Sequence, residues 1–195
     1  MNRKLMMESV QQQMPAKRWV HVQGVMSSSV KLAQQYGADV EKAELAALLH
    51  DYCKYWSVDR QAQVLVDYGM AGDLLENDKQ LWHGPAAACF VRDEFGVEDI
   101  EVLDAIRYHT SGRVDMTLLD KIVCLADYIE PSREFPEVDK IRKKAENSIE
   151  KALIAGFDST LLFLISKKQR IYPLTILARN ALLQEISKTQ KGLAE

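Results

Sequence analysis

Helix breakers are scarce in this chain. Nine glycines and five prolines are spread through 195 residues, below the roughly 12% that the two types average together. Between them run stretches rich in Ala, Leu, Glu and Lys, which are strong helix formers. No series of alternating β-branched runs competes with that reading. The chain is expected to fold as a single all-α helical bundle, with no repeat, low-complexity linker or domain boundary.

Start and stop signals divide it. Pro15 opens a first clear helix that Gly37 ends. Asp39 caps a second, which runs through Ala46 and Ala47 to His50, and Ser57 caps a short third that Gly69 stops. Asp73 to Trp82 reads as a loop. Pro85 starts a helix that Gly96 ends, and Ile100 to His109 forms the next, stopping near Gly112. Thr117 and Asp120 form a capping box before Leu118 to Ile129. Pro131 and Pro136 mark a loop. Val138 to Phe157 and Leu161 to Gln169 read as two helices, and Pro173 opens the last.

The composition excludes several classes. Apolar residues make up 47%, too many for a disordered chain. A net charge of −3 gives no footprint for bulk nucleic-acid binding. Lys140, Arg142, Lys143 and Lys144 are interrupted by acidic residues and read as a solvated face. Cys53, Cys89 and Cys124 form no disulfide framework or thiolate zinc site. Met1 to Gln13 is too polar for a signal peptide, and no run is long enough for a membrane helix. A cytoplasmic address is expected. Leu161 to Ile165 reads as core, with a dimer contact as the alternative.

Only four histidines are present. Taken singly, each has a bland reading: His109 as a satisfied buried ring, His83 as a surface residue, Asp127 as a point on a solvent stripe. Taken in order, His21, His50-Asp51, His83, His109 and Asp127 offer four imidazoles and two carboxylates, a suitable ligand set for two metals. Neighbours on a helix diverge by about 100°, so His50 and Asp51 reach one centre only if the carboxylate reaches across.

This ordered pattern resembles the HD superfamily of phosphohydrolases. Longer stretches narrow the likeness: Arg18-Trp19-Val20-His21-Val22, Leu48-Leu49-His50-Asp51-Tyr52-Cys53-Lys54, Leu81-Trp82-His83-Gly84, Ala105 to Gly112, Leu125 to Arg133, and Arg179-Asn180. Together they resemble the bacterial HD-domain symmetrical diadenosine tetraphosphate hydrolases, the YqeK-type family, over about 17–183. A single HD domain spanning 1–195 is implied. Two departures are Ser111, where the family usually has Thr, and Glu137, where it often has Gly. Neither falls on a metal ligand.

The resemblance implies one metal held by His21, His50, Asp51 and Asp127, and a second by His83, His109 and a bridging Asp51. The family is associated with iron; the ligands themselves also accept Mn, Zn or Co, as divalent or mixed-valence ions. A water activated by the metals is then the nucleophile, and Asp51 and Lys54 are the catalytic residues. Lys54, one turn beyond Asp51, can face the same site. Arg133 is the best further phosphate ligand, Arg18 and Arg107 are weaker candidates, and Thr110 and Gly112 are candidates for the nucleotide pocket. Symmetrical cleavage expels ADP, a stable anion that needs little protonation. The implied partner is a small nucleotide, with no nucleic acid and no membrane; a homodimer is left open. The alternatives are another nucleotide phosphohydrolase with the same ligands, or a nucleotide-binding regulatory module with little turnover.

Overall fold

The computed structural model describes residues 3–192, with side chains through 189. Ten α-helices follow one another: α1 Arg3–Gln12, α2 Ala16–Tyr36, α3 Val40–Leu49, α4 Val58–Asp67, α5 His83–Phe95, α6 Ile100–Tyr108, α7 Leu118–Ile129, α8 Val138–Ala145, α9 Ile149–Ser166 and α10 Pro173–Gly192. No strand occurs among the described residues, so the all-α expectation holds.

The caps form as the sequence requires. Asp39 accepts from the backbone N–H groups of Glu41 and Lys42, and Ser57 from that of Arg60. Thr117 and Asp120 close a reciprocal capping box on α7. Gly37 and Gly96 end their helices in the left-handed conformation.

Helix α7 is the centre of the bundle. Every residue from Leu119 to Ala126 is buried, and α2, α3, α6, α8 and α9 all pack against it. Lys121, on its rear face, is buried as well; it pairs with Glu150 on α9 at 3.0 Å and with Glu185 on α10. A buried cation is tolerable because both carboxylates compensate it.

Four local readings are corrected. Helix α1 forms where only a polar start was read. Asp73 to Trp82 is no plain loop, because Leu74–Glu76 and Lys79–Leu81 wind into 3₁₀ turns. The break expected after Phe157 lies instead at Glu146 to Ser148, where Ser148 caps α9 by accepting from the Lys151 N–H. Helix α9 then runs straight through Gly156. A Cβ at Gly156 would meet the Tyr128 ring at 3.1 Å, so this glycine lets an aromatic ring lie against the helix. Finally, the Leu161 to Ile165 stretch is not core: Leu162, Phe163 and Ile165 are 67%, 55% and 60% exposed.

Candidate metal centre

Helix ends deliver the histidines. His50 is the C-cap of α3 and His109 the C-cap of α6. Each ring folds back so that Nδ1–H donates to the carbonyl three residues earlier, to Ala47 at 2.6 Å and to Ile106 at 2.8 Å. A carbonyl only accepts, so the proton sits on Nδ1 and Nε2 keeps its lone pair. His83 is the first residue of α5. His21 stands on α2, and its Nδ1–H donates to Glu130 at 2.9 Å. All four rings are buried.

Asp51, fully buried in the turn after α3, joins them. Its Oδ2 lies 3.0 Å from His50 Nε2 and 3.7 Å from His21 Nε2. Its Oδ1 lies 3.1 Å from His83 Nε2 and 3.9 Å from His109 Nε2. The donor atoms of His21, His50 and Asp51 thus form one compact group, and those of Asp51, His83 and His109 a second. Asp127, half-buried in the last turn of α7, borders the first with its Oδ1 3.0 Å from His21 Nε2. The structure brings all six His and Asp residues together.

Hydrogen bonding leaves this cluster incomplete. His21 Nε2, His50 Nε2 and Asp51 Oδ1 are buried without a hydrogen-bond partner. Unsatisfied buried polar atoms are costly. Here they converge, with imidazole and carboxylate donors that a borderline divalent ion accepts. The residues fit a divalent metal site.

Electrostatics agree with a ligand role. Burial holds His83 below and His109 well below the ordinary imidazole range, keeping both rings neutral. Burial also opposes the charge on Asp51, but His50 and His83 outweigh it and keep the carboxyl well below its usual range. Asp127 is likewise low: burial opposes, and His21 with Arg133 prevails.

A cavity of about 630 Å³ opens onto this cluster. Its polar lining includes Arg18, Lys54, His83, His109, Asp127 and Arg133; Tyr128, Phe135, Pro136, Leu162 and Phe163 supply apolar surface. Arg18 binds Asp51 Oδ2, and Arg133 binds Asp127 through its side chain and, at 2.7 Å, its carbonyl. Thr110 lines the cavity too.

The profile of the HD domain family matches residues 18–132, a span holding all six His and Asp residues. The chain belongs to the HD domain family. It is 45% identical to the symmetrical bis(5'-nucleosyl)-tetraphosphatase of Bacillus subtilis, over 94% of this chain and 98% of that one. It is 42% identical to the protein of that name from Staphylococcus aureus, covering 85% and 86%. A crystal structure from Clostridium acetobutylicum, described as a predicted HD superfamily hydrolase involved in NAD metabolism, superposes with a TM-score of 0.91 at 37% identity, covering 95% of this chain and 98% of that one. The subfamily resemblance carried by the motif stretches is thereby borne out.

Two candidates lie elsewhere. Gly112 does not line this cavity: its φ is +65°, and a Cβ there would meet Phe157 Cζ at 2.7 Å. Its glycine serves a tight turn packed against α9. Arg107 pairs with Asp104 at 2.8 Å and also lies off this cavity. Conversely, sequence reading missed Glu130 as the partner of His21. The available signal was its spacing, three residues beyond Asp127 and so on the same face of the helix end. Arg142 was read as solvated, yet it donates to the carbonyls of Ile129, Glu130 and Arg133 at 3.0, 2.9 and 3.1 Å. It locks the loop that presents Arg133.

Proposed function

We propose that this protein hydrolyses diadenosine tetraphosphate symmetrically, yielding two ADP. One metal is held by His21, His50, Asp51 and Asp127, and a second by His83, His109 and the shared Asp51. Iron is the proposed native metal. The reading places the activity in the cytoplasm and in one HD domain spanning 1–195. The observation that carries it is Asp51, whose two oxygens face different histidine groups, with His83 and His109 lining a cavity that also holds Arg18, Lys54 and Arg133.

When bound, divalent ions at such a centre supply Lewis acidity, lowering the pKa of a water and withdrawing charge from phosphoryl oxygens. The chain's own residues do the rest. Lys54 is half-buried and makes no ion pair among the described residues, so its ammonium is free to hold a phosphate. Arg18 and Arg133 stand on the carboxylates and present further N–H donors to the polyphosphate. Phe135, Pro136, Leu162 and Phe163 offer an adenine its apolar contact. The departing ADP is a stable anion, which suits a cavity rich in cations.

Metal-loaded protein incubated with diadenosine tetraphosphate should give ADP alone. ATP plus AMP, or no turnover, would overturn the proposal. The Clostridium neighbour's link with NAD metabolism supports adding a dinucleotide joined by two phosphates to the panel; faster cleavage of that compound would reassign the substrate.

A further inference from the structure

Glu130 has no task in the chemistry above, yet it is only 1% exposed. Helix α7 ends at Ile129, and the extended backbone at Glu130 (φ −52°, ψ 153°) breaks the helical path. Its Oε1 accepts from His21 Nδ1 at 2.9 Å and from the Ser132 hydroxyl; its Oε2 accepts from the Ser132 N–H at 2.7 Å. Arg142 fixes the surrounding backbone through three carbonyls. On α2, one turn beyond His21, Gly24 faces the carboxylate so closely that a Cβ would run into Oε2.

The other oriented rings are held differently. His50 and His109 donate to backbone carbonyls at the ends of their own helices. Only His21, among these three, donates to a carboxylate. An anionic acceptor on Nδ1–H fixes the tautomer and raises the donor strength of Nε2.

We propose that Glu130 is a positioning residue for the first metal. It commits His21 to coordination through Nε2, and gives the His21–His50–Asp51 group an affinity that the Asp51–His83–His109 group does not draw from it. This inference rests on the metal-centre reading above. Gly24 belongs to the same device, because it admits the carboxylate to its place.

The test is equilibrium dialysis against Mn²⁺, counting ions per chain in wild type, Glu130→Ala, Glu130→Gln and Gly24→Ala. Wild type should take two ions. Glu130→Ala should weaken one by about 10- to 100-fold and leave the other unchanged. Glu130→Gln should fall between, since His21 and the Ser132 N–H use different carboxylate oxygens and the amide replaces one of them with a donor. Gly24→Ala displaces the carboxylate without removing its charge and should also weaken one ion. In proton NMR of the metal-free proteins, the downfield Nδ1–H signal of His21 should vanish in Glu130→Ala while those of His50 and His109 persist. Wild-type affinity for both ions in Glu130→Ala and Gly24→Ala would overturn the role. Equal weakening of both ions would do so too, since general loosening of the fold produces that result. Wild type binding no ion would instead overturn the metal-centre reading itself. Should Glu130→Ala fail to fold, Glu130→Gln and Gly24→Ala carry the comparison.

Discussion

His50 Nε2 lies 3.0 Å from Asp51 Oδ2, although the two residues are neighbours in the chain. Within a helix their side chains would diverge by about 100°. Helix α3 ends at Leu49, so Asp51 sits in the following turn and its carboxylate swings back to the ring. The reach-across expected from the dipeptide is met by ending the helix just before the pair.

Asp51→Asn tests that shared carboxylate. The amide keeps the volume but offers only one acceptor oxygen to two groups. Turnover should fall by about 10³-fold or more, beyond the loss of a single charge-stabilising donor, and metal content per chain should drop with it. Activity within tenfold of wild type would remove Asp51 from its role.

Lys54→Met keeps the apolar stem and deletes the charge. Burial already lowers the pKa of Lys54, with Asp51 offsetting only part of the effect. Its loss should cost about 10²- to 10³-fold in kcat/KM without lowering Tm. A lower Tm with an unchanged rate would make Lys54 structural.

Phe163→Ala addresses the apolar wall. The ring is 55% exposed, so removing it should leave stability nearly unchanged. Stacking of a base on an aromatic ring contributes about 1–3 kcal/mol, so KM should rise roughly tenfold with kcat retained. An unaltered KM would place the nucleobase elsewhere.

Acid should destabilise the metal-free protein in two stages. Burial depresses His83 and His109, so below about pH 6.5 the unfolded chain binds protons that these rings refuse, and stability falls. His50 has the opposite sign: burial opposes its charge but Asp51 raises its pKa, so its contribution is present at low pH and lost as pH rises. Two depressed rings outweigh one raised ring. Below about pH 4, the unfolded chain takes up protons at Asp51 and Asp127 that the folded carboxyls still refuse, so the stability their depressed values confer is lost as pH falls. Denaturant unfolding between pH 8 and pH 3 checks this (with ~25 °C as the reference temperature). A midpoint that rises on acidification from pH 7 to pH 5 would contradict the assignment.

The six clustered His and Asp residues were legible because a candidate ligand set needs side chains of particular chemical types, and types survive in a one-dimensional reading. The capped helix starts at Asp39, Ser57 and Thr117 were legible for a similar reason: a cap is a contact across two or three residues. What escaped depends on packing between distant segments. Gly156 has no evident reason inside a helix until the Tyr128 ring is seen against it. Leu162 and Phe163 read as core because composition cannot show that the cavity lies beside them. Glu130 reads as part of a Pro-containing turn because its partner His21 is remote in the chain. Gly112 reads as a pocket glycine because it follows His109 so closely, whereas Phe157 and Ala178 explain its identity.

The buried Lys121 ties two helices to α7 through its ion pairs. It pins α9 at Glu150 and α10 at Glu185, while Phe163 stands near the opposite end of α9. At 1.5 Å per residue that is a lever arm of about 20 Å, so a tilt of about three degrees at the anchor carries the aromatic wall by about 1 Å. Displacements of that size cost on the order of 10²-fold in rate where reacting groups must be aligned. Drift at positions 121, 150 or 185, none of which lines the cavity, would therefore be registered as an altered shape of that cavity.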